Sequence, residues 1–377
     1  MLTFLPISEL QFLPSGIRRL APLECGEQTK RMSFFHRISG SNFFIKLRSW
    51  EYWPFGIIRA PLFIYWVWLS LKARSLFFFS ASNPGILMGG MFGESKFEVL
   101  EKVPEECRAK AILIRVPASV EAILIRIREN GFEFPLIFKP DLGERGWLVK
   151  RINHEDEVKD YLSQIKVDFL IQEFVELPLE FGVFYVRYPK QASGKVISVV
   201  GKEMLTVEGD GKKTLKELIF GKARAKLQWE TLQVTLRGRL EEVLPMSHKL
   251  ELVSIGNHCL GTKFLNCNHL ITEGLSNSFD RISKQVDGFY FGRYDLRVAS
   301  LEDLENGSIK VVELNGCGAE PAHIYEPGFS LWEAQKVLFQ HWKHIYRISA
   351  ENHAQGVSYI SFQEGRAIYN KFRSLTS

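Results

Sequence analysis

Residues 289–299 read Phe-Tyr-Phe-Gly-Arg-Tyr-Asp-Leu-Arg-Val-Ala, and residues 311–315 read Val-Val-Glu-Leu-Asn. Both are β runs, rich in aromatic and β-branched residues. Side chains alternate across a strand, so Glu313 and Asn315 share one face of theirs. An Asp on the first run, Asp295, and Glu-x-Asn on the second bring three oxygen donors together if the runs are neighbours. Oxygen donors aimed from core strands are costly unless they bind something, and a hard cation such as magnesium takes that donor set. A surface hairpin with ordinary polar alternation is the competing reading. The turn between the runs, Leu301–Ser308, is acidic and insertion-like.

Outward from these runs, the chain alternates strands and helices from about residue 94. Leu136–Lys139 and Trp147–Ile152 read as strands, with a glycine-bearing turn, Pro140-Asp-Leu-Gly-Glu-Arg-Gly146, between them. Glu155–Gln164 reads as a helix; Phe169–Glu173, Phe181–Tyr188 and Lys195–Lys202 read as strands. A lysine at a strand end beside a glycine turn can hold a polyphosphate: backbone N–H groups donate to phosphate oxygens, and Lys139 and Arg145 supply charge. Solvated hairpins carry the same residues. The sequence has neither the G-x-x-x-x-G-K-S/T pattern nor a G-x-G-x-x-G after a strand, so a nucleotide site here is of another type.

The chain has 377 residues, enough for two or three domains, with 46% hydrophobic and 24% charged residues, as in an ordinary globular protein. Its net charge is +5, but residues 1–82 hold ten Lys/Arg against four Asp/Glu, so the remainder is close to neutral. That argues against a nucleic-acid-coating surface. Five cysteines, sparse and odd in number, imply no disulfide framework and fit a reducing cytoplasm. His258, Cys259, Cys267 and His269 lack zinc-ligand spacing, and packed thiols are the expectation there.

Residues 1–31 carry no signal-peptide pattern; translation from Met32 is expected, with 1–31 a poorly ordered extension or a mis-assigned start. The most apolar stretch, Phe55–Leu71, is broken by Arg59 and Pro61 and is too short to span a bilayer. Two readings stay open for residues 50–80. One is a helix packed on the protein's own body; the other is an interfacial helix with Trp53, Trp66 and Trp68 at a membrane surface. Asn83-Pro84-Gly85 and Gly89-Gly90-Met91-Phe92-Gly93 form a turn-rich stretch that cradles an anion or caps the next helix. Ser330–Ile348 reads as an amphipathic helix.

Taken together and in order, these segments resemble the ATP-grasp superfamily, most of all its D-alanine–D-alanine ligase and cyanophycin synthetase branches, over roughly residues 94–325. Phe134-Pro-Leu-Ile-Phe-Lys139-Pro140 resembles the strand ending in a phosphate-binding Lys-Pro, and Gly143-Glu-Arg-Gly146 the loop closing over the phosphates. Lys96, in Gly93-Glu-Ser-Lys-Phe97, lies where the family keeps its other ATP-contacting lysine. Leu170-Ile-Gln-Glu173-Phe174-Val175 resembles the adenine hinge, and Glu180 the ribose-binding glutamate. Asp295, Glu313 and Asn315 match the family's magnesium ligands, and Arg293 its phosphoryl-stabilising arginine. Val207–Leu218 looks like the Gly-Asp-Gly segment of cyanophycin synthetases. Only about sixty residues (32–93) stand where the family usually keeps a full N-terminal α/β domain, which puts D-alanine specificity in doubt.

The resemblance implies an α+β ATP-grasp fold with a short aromatic and basic helical N-terminal region. The expected divisions are 1–31, 32–93, 94–205 (phosphate loop and hinge), 206–348 (metal site and C-terminal helix) and a tail, 349–377. It implies a ligase that uses ATP with Mg2+ (or Mn2+) to turn a carboxylate into an acyl phosphate, which an amine then attacks. In that scheme Lys139 and Arg293 are catalytic, and Lys96, Lys139, Gly143, Arg145, Gly146, Glu173, Phe174, Val175 and Glu180 bind ATP. Asn315–Tyr325 follows the metal ligands; there Glu320 is expected to hold an amine, and His323 or Tyr325 to orient a carboxylate or take a proton. Arg187 and Arg297 are further candidates for a substrate carboxylate, or structural ion pairs. Expected partners are small carboxylates and amines and no nucleic acid; the expected location is cytoplasmic, with membrane-peripheral contact through 50–80 open, as is homodimerisation. A non-catalytic ATP-binding protein and a kinase-like member of the same fold are the alternatives.

Overall fold

The computed structural model describes Trp50 and residues 55–143, 146–253 and 262–376. The chain divides into two units, Met1–Ile64 and Tyr65–Ser377. A helix, α1 (Phe55–Ala73), runs across that division. The second unit continues with α2 (Lys96–Glu101), β1 (Ala111–Ile114), α3 (Val120–Glu129), β2 (Leu136–Pro140), β3 (Lys150–Ile152), α4 (Asp156–Gln164), β4 (Phe169–Glu173), β5 (Leu179–Val186) and β6 (Lys195–Glu203). Then come β7 (Thr206–Glu208), the short helices α5 (Leu215–Gly221), α6 (Ala223–Leu227) and α7 (Trp229–Thr235), β8 (Lys249–Glu251), β9 (Lys263–Asn266) and α8 (Glu273–Gln285). The chain closes with β10 (Phe291–Val298), α9 (Leu301–Asn306), β11 (Lys310–Asn315), α10 (Leu331–Ala354) and α11 (Phe362–Thr376).

Two antiparallel sheets organise the second unit, the α+β class expected. The smaller has the order β1-β4-β2-β3; the larger has the order β11-β10-β5-β6-β9. Helices α3 and α4 cover one face of the smaller sheet. Their Ile123, Ile127, Val158 and Tyr161 meet Phe138, Phe169 and Ile171 in one core. The larger sheet has a more divided character. Its one face sends Val183, Val199, Tyr294 and Leu296 against Leu275, Phe279 and Ile282 of α8. The other face starts apolar, with Phe184, Val186 and Phe291 against Ile345 and Ile348 of α10. Along the same strands it then turns charged. The register sets Arg293 beside Phe184 and Asn315, and Asp295 beside Gly182 and Glu313.

The sequence reading places β2 to β6, β10 and β11 to within a few residues and leaves β1, β7, β8 and β9 unread. The acidic stretch Leu301–Ser308 is a short helix: Ser300 caps it through Asp303 N, and Gly307 ends it in the left-handed conformation. The C-terminal amphipathic helix extends to Ala354, six residues past the expected end, and α11 lies in the segment read as a tail. The acidic residue Glu94 is the first after Glu51, so α1 and the aromatic turn Phe77–Ala81 lie in a stretch free of carboxylates.

Candidate active site at the junction of two sheets

The site is built on the charged half of the larger sheet, where the smaller sheet meets it. On β11 the register skips a residue: Asp295 pairs with Glu313, and Leu296 with Val311. Val312 is the extra residue of a β-bulge, which takes its carbonyl out of the ladder. That carbonyl accepts from Lys139 Nζ at 3.0 Å and from Gln172 Nε2 at 3.1 Å, both on the smaller sheet. The bulge therefore latches the sheets together beside Glu313. Lys96, in the first turn of α2, approaches from the same side: its Nζ lies 3.6 Å from Glu313 Oε1 and donates to Gly143 O. Asp141 fixes that turn, since its carboxylate accepts from Ser95 Oγ and Phe97 N.

Asp295 is 4% exposed and held by three donors. Arg293 reaches it at 2.9 Å, Lys202 at 3.1 Å and the Asn315 amide at 3.0 Å. Burial pushes the Asp295 carboxyl up, but Arg293 and Lys202 outweigh it and hold it at about 2. Glu313 is lowered in the same way: Lys96 and Lys139 overcome its burial. The room for this cluster comes from Gly182. A Cβ there would sit 2.8 Å from Val200, and 3.2 Å from both Arg293 Cδ and Asp295 Oδ1.

The two deeply placed lysines differ. Lys202 pairs with Glu180 at 3.0 Å as well as with Asp295; burial pushes its ammonium down, and these two carboxylates carry it above the ordinary lysine range. Lys139 makes no ion pair among the described residues and donates a hydrogen bond to a neutral carbonyl. Its burial pulls the ammonium below the usual range, with Glu313 opposing. A buried cation without a paired carboxylate is costly, and an anion arriving beside it offsets that cost.

Toward the hinge, Glu180 binds Arg297 at 2.9 Å, and Arg297 also donates to Val175 O. Phe174 is flanked by guanidinium groups, with Arg151 4.1 Å and Arg297 5.6 Å from its ring centre. A cavity of about 360 Å³ opens here, lined by Arg151, Phe174, Glu180, Lys202, Met204 and Arg297 among others. Glu173 accepts from Lys110 N at the rim of the hinge. At the opposite end, the Glu320 carbonyl accepts from Arg293 Nη1, and its carboxylate accepts from Tyr325 at 2.6 Å. His323 is buried 2.7 Å from Ser198 Oγ; burial draws its imidazole down to about 4, with Glu326 opposing. Along one sheet face, therefore, stand an aromatic and basic cavity, then the lysines and carboxylates, then Arg293, then a neutral polar pair.

Most of the residues singled out in the sequence come together here. Gly143 takes a positive φ of 145°, and its carbonyl is the acceptor for Lys96; Gly146, also at positive φ, closes the turn through Val149 N. Arg145 lies outside the described residues, as do His258 and Cys259. Arg187 stands apart: it is five residues along β5 from Gly182 and lies 4.4 Å over the Tyr290 ring. Arg297 is in the structural ion pair that was its alternative reading. The turn-rich stretch before Lys96 pairs with the segment after Asn315, Cys317 N to Gly89 O and Gly318 N to Gly90 O. Asn83, fully buried, ties both to β10 through Phe291. Ser95, not the glycine stretch, caps α2. Lys202, Gln172, Asp141 and Ser198 were missed. A lysine and a glutamine inside otherwise apolar strand runs were the available signal for the first two.

Among the described residues no three His, Cys, Asp or Glu side chains form a metal cluster. Two carboxylates and an amide do converge, and that donor chemistry fits a hard divalent cation whose other ligands are phosphate oxygens and water. Asn315 donates its amide nitrogen to Asp295 Oδ2, which leaves its carbonyl oxygen as the remaining donor.

No family model matches the sequence, and no curated protein matches it. Solved structures with a distant likeness to the fold include three ligases and synthetases. D-alanine–D-alanine ligase from Bacillus anthracis is 12% identical with a TM-score of 0.42, covering 72% of this chain and 72% of that one. VanG D-Ala:D-Ser ligase from Enterococcus faecalis is 13% identical with a TM-score of 0.38, over 68% of this chain and 62% of that one. A bifunctional glutathione synthetase from Pasteurella multocida is 14% identical with a TM-score of 0.34, over 65% of this chain and 36% of that one. This chain thus spans little more than a third of that last protein. The likenesses are distant, and the functional reading rests on the residues themselves.

Proposed function

We propose that the chain is an ATP-grasp ligase that joins a carboxylate to an amine. The observation that carries the reading is Lys139: a buried ammonium in no ion pair among the described residues, beside Lys96 and Glu313, where the bulge latches the two sheets. A polyphosphate fits that position because it brings negative charge to a buried cation whose pKa burial lowers. The cavity around Phe174, with Arg151, Glu180 and Arg297, then takes the base and sugar.

A carboxylate is a poor electrophile because its leaving group would be oxide. Transfer of the γ-phosphoryl group from ATP to a carboxylate oxygen releases ADP and leaves an acyl phosphate. The amine nitrogen then attacks the acyl carbon, phosphate departs with that oxygen, and the amine loses a proton. Phosphoryl transfer asks for alignment and charge neutralisation more than for covalent help. Lys96 and Lys139 neutralise the phosphates, and Arg293 meets the transferred group once it exchanges an Asp295 contact for phosphate. Asp295, Glu313 and Asn315 would hold a magnesium ion, which when bound neutralises phosphate charge. The turn at Gly143 and Gly146 shields the acyl phosphate from water. Glu320 and Tyr325 border the acceptor side.

The test is ADP release by the full chain with magnesium and ATP, against pooled amino acids, dipeptides and hydroxy acids. Substrate-dependent ADP with equal free phosphate supports the ligase. ADP without free phosphate means a kinase, and ATP binding with no turnover against any pool favours the non-catalytic reading.

A further inference from the structure

From Tyr65 onward helix α1 is apolar on two opposed stripes, and among the described residues only one is packed. Tyr65, Trp66, Leu69 and Ala73 join the core formed with α10 and the Phe77–Phe79 turn. Val67, Trp68 and Leu71 fall on the other side of the helix at helical spacing. They are 37%, 52% and 72% exposed, and Leu76 just beyond is 41% exposed. Such a row is unusual on a protein surface and marks a contact. The helix is not a membrane span, since no described helix is long and apolar enough to cross one. Arg59 and Pro61 also interrupt it.

The charge around the stripe indicates what covers it. Residues 52–93 contain no Asp or Glu, while Arg59, Lys72 and Arg74 lie among them. Lys72 and Arg74 are exposed at the end of the stripe and make no ion pair among the described residues. The Lys72 ammonium lies 5.3 Å from the Trp68 ring centre. The same ammonium lies 5.0 Å from the Tyr346 ring centre, so it sits at the exposed edge of the aromatic cluster. Exposed Leu and Trp beside an exposed lysine is the arrangement that rests in an interface, with apolar groups below the headgroups and cations among them. A two-fold pairing of this stripe with itself would gather the basic residues of two copies, with no acid in the segment to answer them. We propose that the exposed stripe of α1, with Lys72 and Arg74, docks the protein on an anionic lipid surface. This is independent of the ligase reading, because no residue of the active site is involved.

The experiment is vesicle co-sedimentation of the full chain, comparing phosphatidylcholine containing phosphatidylglycerol with phosphatidylcholine alone. The unaltered protein should favour the anionic vesicles, with Trp68 quenched by brominated lipid and the quenching lost in Trp68→Phe. Leu71→Glu should weaken binding roughly tenfold or more. Lys72→Glu with Arg74→Glu should weaken it about fivefold per charge and abolish the preference for phosphatidylglycerol. All these positions are exposed, so an unchanged far-ultraviolet spectrum serves as the folding control. Absence of vesicle binding, or binding unaffected by Leu71→Glu, overturns the proposal. So does a dimer, seen by light scattering, that Leu71→Glu dissolves while vesicles have no effect.

Discussion

Strand β10 presents two faces that obey opposite rules. Tyr294 and Leu296 point into an apolar core, where the Tyr294 hydroxyl is satisfied by Ser283. Arg293, Asp295 and Arg297, one residue out of step, carry full charges at depths where charge is expensive. The first face is complete as it stands. On the second, the charges answer one another, while Lys139, reaching in from β2, is left with a carbonyl. The lesson is that one strand can anchor a fold and hold a reactive surface at once, because alternation keeps the two functions 180° apart.

The contrast can be broken from either side. Glu313→Gln keeps shape and removes one charge from the site face; it should lower substrate-dependent ADP formation about a thousandfold, roughly 4 kcal/mol, with a stability loss well below that. Equal losses of activity and stability would mean the two faces are not separable. Leu296→Ala, on the core face, should cost about 2–5 kcal/mol in denaturant unfolding, with the folded fraction still binding nucleotide.

A smaller effect follows from His323. Its imidazole is held down to about 4 in the folded protein, so the unfolded chain takes up the proton first as pH falls. His323 therefore contributes stability that is complete above about pH 6.5 and lost as pH drops toward about 4, amounting to about 3 kcal/mol. The difference in unfolding free energy between wild type and His323→Gln should shrink across that window. The smallest effect expected is for Lys202→Met. Asp295 keeps Arg293 and Glu180 keeps Arg297, so the loss should be about 2 kcal/mol, less than for an isolated buried pair. A larger loss would make Lys202 the keystone of the cluster.

Much of this was legible in the sequence because strands report themselves by alternation. The carboxylates on β10 and β11 could be placed on one face from Asp295, Glu313 and Asn315 alone. The bulge at Val312 could not, since nothing in Val-Val-Glu-Leu-Asn marks which residue leaves the ladder. Lys202 was read only as the end of a strand, because its partners, Glu180 and Asp295, lie on two other strands. Arg187 shows the converse failure: residue type suggested a carboxylate partner, but its distance along β5 removes it from the cluster. Helix α11 went unread, although its one apolar edge packs Ile368 into the same core as α1. For α1 itself, Trp66 packs against the protein's own body, as the first reading expects, and Trp68 is exposed.

On the proposed reading, Lys139 binds a phosphate of ATP. Titration calorimetry of ATP with magnesium into the full chain, and into Lys139→Met, tests it most directly. The account predicts one site per chain and a loss of affinity of about tenfold or more in the variant, a charge-assisted contact to phosphate being worth roughly 1.5–3 kcal/mol. Equal affinity in the two proteins, or no ATP binding by the unaltered chain, would contradict it.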